Sequence, residues 1–236
     1  MSTRILTLCA WCGPATVVIA LTGWLIAGVL PIPLGPESSV DHVVNFYGHD
    51  TRVITGLVIS TLGVCFVFPL IALIAVFMMR MEGRTPILTF IQLITGAATG
   101  VLLLVPLLLM TTIAFRPDRN PELTVTLNDI AWLLFITPIA PFMIQNVSIG
   151  VSILNDARQT LPRWVGYVNL WVAFLFIPDP LAFFFHSGPF AWRGIFIFWL
   201  ALAAYTVFLV VMGVTLRQAI RASSDPDVSA VPAAAA

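Results

Sequence analysis

Apolar residues run through this chain in six long stretches, roughly 9–31, 53–79, 87–114, 130–154, 164–185 and 192–216, each bounded by charges, proline or tryptophan. A helix needs about 20 mostly apolar residues to cross the hydrocarbon of a bilayer, and all six stretches have that length. The joints between them are short. The pattern therefore predicts an all-α polytopic membrane protein: one bundle of six transmembrane helices over 1–221, then a tail over 222–236 rich in Ser, Asp, Pro and Ala. Such a tail is expected to be disordered and cytoplasmic. As helices, the second and third stretches would be about 40 Å long, so they must tilt in, or project from, a core about 30 Å thick. The first stretch is longer than the roughly 7–15 apolar residues of a signal peptide and ends in no A-x-A site, so it is expected to stay as a span.

A shorter periodic segment separates the first two spans. Val40, Val43, Val44 and Tyr47 recur at helical spacing, Ser38 or Ser39 can cap the start, and Asp41 suits the first turn. This predicts a short amphipathic helix lying on the outer membrane surface.

Composition narrows the class. The chain is 59% hydrophobic and 9% charged, against roughly 45–50% and about 25% in soluble domains. An ordinary soluble enzyme and a disordered chain are excluded. All 11 basic residues are Arg, matched by 11 acids, so no basic patch exists for nucleic acid and no lysine for a Schiff base. The lipid membrane is the implied partner. With both termini on one side, that side carries Arg4, Arg80, Arg84, Arg158, Arg163, Arg217 and Arg221, and the other carries Arg52, Arg116, Arg119 and Arg193. This excess places both termini in the cytoplasm. Trp11 and Trp164 are expected in an inner interfacial belt, Trp132 and Trp192 in an outer one. Cys9 and Cys12 form a C-x-x-C, read as small apolar side chains on a helix, because no second ligand pair lies on the same side.

Polar residues within the spans fall in two layers, and no ionisable group is expected near the midplane. Gly96-x-x-x-Gly100 in the third span, and Gly23, Gly56 and Gly63 in the first two, suit close helix packing. The inner layer holds Gln92, Gln145, Asn146 and Asn169, whose amides are expected to hydrogen-bond across helices or to line a polar ligand pocket. In the outer layer, Phe115–Glu122 reads as an ordered, salt-bridged turn leading to Asn128 and Asp129 at the mouth of the fourth span. Asp179, between Pro178 and Pro180, is expected roughly 22 Å up a 30 Å core, in a helix the prolines break. Arg52, Arg116 and Arg193 are its expected partners, since an acid at that depth must be paired, protonated or open to a cavity. Pro138 and Pro141 would open the facing side of the fourth span.

The candidate ligand site is thus an outer cavity of Asn128, Asp129, Asp179, Arg52 and Arg193, near His49 and His186. A plain salt-bridged rim is the competing reading. A third is a metal site using His42, His49, His186 and Asp50, for which His with Asp is suitable chemistry but no H-E-x-x-H spacing exists.

Phe115-Arg116-Pro117-Asp118-Arg119, Leu127-Asn128-Asp129 with Trp132, Pro162–Tyr167 with Asn169 and Trp171, and Ser187–Trp192 carry a resemblance over most of the chain. In these residues it resembles a family of six-span bacterial integral membrane proteins of actinobacterial type, with which no activity travels. The resemblance implies a bacterial inner membrane. The functional expectation is a protein that binds or helps transfer a lipophilic small molecule at the outer leaflet, or serves as a membrane subunit, as a homo-oligomer or with other chains. No catalytic residue and no cofactor is assigned. The alternative is a membrane metalloenzyme, or a subunit of one, holding a transition metal.

Overall fold

The computed structural model describes residues 2–48 and 50–223, without the side chain of Asp50. Every regular element among them is helical. Six helices are long and apolar enough to cross a membrane, at Thr3–Ala27, Thr51–Glu82, Ile87–Ala114, Pro121–Asn155, Arg163–Phe183 and Ile195–Ala222. The chain is a multi-pass membrane bundle. The expected tail from residue 224 lies outside the described residues.

Only the first and third spans are single α-helices. α1 (Thr3–Ala27) is followed by the short α2 (Val40–Gly48). The second span is α3 (Asp50–Cys65) plus α4 (Val67–Glu82), and the third is α5 (Ile87–Ala114). The fourth is α6 (Pro121–Ile136) plus α7 (Ala140–Asn155). The fifth is α8 (Arg163–Leu175), continued by a 3₁₀ turn at Asp179–Phe183. The sixth opens with a π-helical turn, Ile195–Trp199, and goes on as α9 (Leu200–Ala222). A proline sits at the breaks in the second, fourth and fifth spans, whereas Pro14 and Pro106 are accommodated inside α1 and α5. Pro69 has no N–H for the Cys65 carbonyl, Pro141 none for Thr137, and Pro180 none for Phe176, so the i→i−4 ladder stops at each place. The Phe66 N–H turns back to Gly63 O at 3.2 Å, and the Asp179 N–H to Phe176 O at 3.1 Å.

The break at Phe66 organises the bundle. Toward the end that carries both chain ends, α4 runs through the centre, packed on α1, α5, α7 and α9. It is buried nearly all round, through Leu70, Ile71, Leu73, Ile74, Phe77 and Met78. Toward the opposite, distal end, α3 sits at the periphery between α1 and α5, with Val58 and Leu62 exposed. Its seam against α1 is lined by small residues. A methyl on Gly56 would run into the backbone of Ala27, and one on Gly63 would lie 2.6 Å from the Ala20 nitrogen. Ser60 Oγ donates to Ala20 O at 2.8 Å across the same seam. Small residues let these backbones approach, as the sequence predicts. Gly96 likewise admits the Gln145 amide beside α5.

The result is two hydrophobic cores. One surrounds α4, with Leu70, Ile74, Phe77, Ile149, Phe208 and Leu216. The other fills the distal half, with Trp24, Leu57, Leu107, Trp132, Ile197 and Phe198.

Three expectations change. The fourth span begins at Pro121, not near 130, because Asn120 caps it, accepting from the Glu122 N–H at 2.9 Å, with Pro121 at the first position. Asn128 and Asp129 are therefore inside a helix, not at its mouth. The loop before it is not salt-bridged: none of Arg116, Asp118, Arg119 and Glu122 forms an ion pair, and Arg119 donates to Thr112 O at 3.3 Å. Trp132 and Trp192 are buried, not interfacial. Trp132 packs on Phe135 and Phe198, and the Trp192 indole donates to Leu34 O at 2.8 Å. Trp11 and Trp164 are exposed, as a belt requires. The amphipathic α2 forms as predicted, and its buried Val43 and Tyr47 seat it on α6.

Candidate internal site

Because α3 is peripheral, no backbone fills the centre of the distal half. Side chains must. Trp24 lies 5.4 Å from Phe135 and 5.8 Å from Phe198, while Phe142 lies 4.7 Å from Phe176 and 5.0 Å from Tyr205, measured between ring centroids. Large rigid rings do not close the space. They leave a cavity of about 90 Å³, lined by these six aromatic residues with Thr99, Leu102, Leu103, Ile136, Pro138, Ile139, Asp179, Ile197, Ala201 and Leu202. A water needs roughly 10–15 Å³ measured this way, so several waters or a small organic group fit. Three of the chain's irregular segments meet here: Pro138 and Ile139 from the gap in the fourth span, Asp179 from the 3₁₀ turn, and Ile197 and Phe198 from the π turn. A second cavity of about 60 Å³ adjoins it and shares Trp24, Leu103, Phe135, Leu202 and Tyr205 as walls. It continues along Val17, Leu21, Val64 and Leu107.

Two polar groups in the first cavity are unpaired. Asp179 is 1% exposed, and its Oδ1 has no hydrogen-bond partner among the described residues; the buried Tyr205 hydroxyl has none either. The Thr99 hydroxyl, by contrast, is bound by Thr95 O at 2.9 Å. None of the arginines expected beside Asp179 pairs with it. Arg193 pairs with Glu37. Arg52 lies beside Gly28, where α1 ends in the left-handed conformation; a methyl on Gly28 would stand 2.9 Å from Arg52 Nη2. Arg116 is exposed. Asp179 is also deeper than a 1.5 Å rise per residue suggests, since it shares a cavity with Thr99, near the middle of α5. The count assumed a continuing helix, but the chain leaves α8 at Leu175 and turns.

The remaining outer residues form a separate cluster. The Tyr47 hydroxyl donates to Asn128 Oδ1 at 3.0 Å, and Asn128 Nδ2 donates to Asp129 Oδ1 at 3.4 Å, with His186 within electrostatic reach of Asp129. Burial, and after it the charge of Asp129, push the Tyr47 phenol above its ordinary range. Asp129 is seven positions before Ile136, about 10 Å along α6, and neither Asn128, Asp129, Arg52 nor Arg193 lines the Asp179 cavity. The residues expected to share one outer cavity thus fall into two separate groups, Asp179 in the cavity and Asn128 with Asp129 outside it. Of the metal alternative, His49 and the Asp50 side chain lie outside the described residues. His42 is exposed on α2, and no three His, Cys, Asp or Glu side chains converge among the described residues.

The four amides near the chain ends are buried, as expected, but do not bond one another. Gln92 donates to Ile71 O at 3.5 Å, Asn146 to Phe142 O at 2.9 Å, and Asn169 to Val165 O at 2.8 Å and to the Met212 sulfur at 3.5 Å. Asp156, just beyond the fourth span, accepts from the N–H groups of Arg158 at 3.0 Å and Thr160 at 2.7 Å. Burial opposes its ionisation, but these hydrogen bonds outweigh burial and hold the carboxyl below its ordinary range.

Sequence reasoning missed Tyr205, Trp24 and Thr99. The available signal was a phenol in the middle of the otherwise apolar sixth span, where an unsatisfied hydroxyl is costly. No protein-family model, curated protein or solved structure matches the chain.

Proposed function

We propose that this membrane protein binds a small lipophilic molecule in the distal cavity and exchanges it with the adjacent leaflet. The observation that carries this reading is a mostly apolar, aromatic-walled space enclosing two unpaired polar groups, where three spans are irregular. Broken helices are tolerated at membrane depth where they line a cavity, and a few fixed polar groups among apolar walls orient a ligand. The same reading puts both termini in the cytoplasm, supported by seven arginines on that side against four on the other. The cavity then serves the outer leaflet of the bacterial inner membrane.

Native mass spectrometry of the full chain, extracted gently from its own membranes, tests the proposal. The expected result is a small-molecule adduct that disappears in Ala201→Leu, which fills the cavity. A tightly held second polypeptide with no such adduct would replace this reading with that of a membrane subunit. A bound transition metal would replace it with the metalloenzyme reading.

A further inference from the structure

We infer that the ligand is a lipophilic organic cation, with its charged head between Asp179 and the aromatic walls and its chain in the adjoining cavity. This rests on the reading of the cavity as a ligand site. Asp179 is the one ionisable carboxyl in the lining, and no Arg or His accompanies it. An intramembrane acid requires a partner, and no side chain among the described residues pairs with Asp179. Arg193 is held by Glu37, and the Arg52 guanidinium lies beside Gly28 at the end of α1. The counter-charge must therefore be a proton or come with the ligand. The other walls favour the second source. Trp24, Phe135, Phe142, Phe176, Phe198 and Tyr205 surround the same space, and aromatic rings attract an ammonium group through their negative faces. The Tyr205 oxygen is a further acceptor without a partner. Beyond Trp24 and Tyr205 the second cavity has mostly aliphatic walls, including Val17, Leu21 and Val64, with Thr16, whose hydroxyl donates to Cys12 O, and Thr206, and it carries no acid, which suits a hydrocarbon chain. The two cavities together define a head end and a tail end.

The test is a titration of the full chain in lipid nanodiscs with octylammonium and with 1-octanol, a pair matched in size and differing in charge; empty nanodiscs supply the baseline. The wild type is expected to bind octylammonium at least about tenfold more tightly than 1-octanol. Asp179→Asn should bring the two affinities together by weakening the cation alone, and Asp179→Glu should keep the preference. Asp129→Asn, outside the cavity, should leave it unchanged. Each variant is compared at an unaltered gel-filtration profile, and Asp179→Leu, which also removes the charge, stands in if Asp179→Asn does not fold. Equal binding of both probes by the wild type, lost in Ala201→Leu, would overturn the cation assignment and leave the cavity reading standing. Saturable binding of neither probe, or binding indifferent to Ala201→Leu, would overturn both.

Discussion

The two halves of this bundle use the same apolar alphabet and arrive at opposite results. Near the chain ends, a complete helix, α4, occupies the centre, and side chains from four neighbours close on it. Leu, Ile, Val and Met side chains, with Phe77 and Phe208, bury it nearly all round. Beyond Phe66 the second span has stepped aside, and a space bordering both cores is framed by the Trp24 indole on the unbroken α1 and by phenyl rings on interrupted helices. Rings are large and stiff, so they frame a space rather than fill it. The difference teaches that one proline-linked break in one span can separate the part of a membrane protein that holds it together from the part free to take a ligand.

The strongest way to break that comparison is a pair of truncations. Leu70→Ala, in the α4 core, is expected to cost about 2–5 kcal/mol, because a filled site leaves a cavity on truncation. Leu202→Ala, in a wall already facing empty space, should cost roughly half as much or less. Equal losses of stability on thermal or denaturant unfolding in detergent would mean that the halves are packed alike. Next in size, Asp179→Leu should stabilise the protein by about 1–3 kcal/mol, since it removes an unpaired buried polar group, while abolishing ligand binding. Destabilisation would show that Asp179 is held by interactions of the folded chain. A smaller effect is expected from Tyr47→Phe, which removes the hydrogen bond to buried Asn128. About 1 kcal/mol should be lost, seen as faster hydrogen exchange in α2 with α4 unchanged. Smallest is the contribution of Asp156. Its carboxyl is held below the ordinary range in the folded state, so its stabilisation is complete above the unfolded pKa of about 3.9 and is lost as pH falls through the lower, folded value. In Asp156→Asn, unfolding should lose that part of its dependence on acid pH, and an unchanged acid limb would sink the assignment.

The candidate site was half legible before the fold. Asp179 stood out because an acid between two prolines within an apolar stretch is costly and breaks a helix. Its partners did not, because nothing local relates it to Tyr205 on the sixth span, Thr99 on the third or Trp24 on the first; only the packing of those spans does. Asn128 and Asp129 were expected beside Asp179 from a depth count that holds only while a helix is continuous, and neither lines its cavity. Arg193 was drawn to Glu37 instead of Asp179, a choice between two acids that proximity in the folded chain makes.

By itself, then, the sequence determined the features dictated by the cost of placing polar groups in hydrocarbon: six spans, the glycine-lined seam between the first two, the short amphipathic helix, and the proline-flanked break at Asp179. Each depends on the chemistry of neighbouring residues and needs no long-range contact. The tertiary structure decided which half would be solid and which hollow, whether Trp132 and Trp192 meet lipid or core, and where each unpaired charge finds its partner. Those outcomes rest on how helices far apart in sequence come to lie side by side, and in this fold that depends on α4 taking the centre and α3 giving it up.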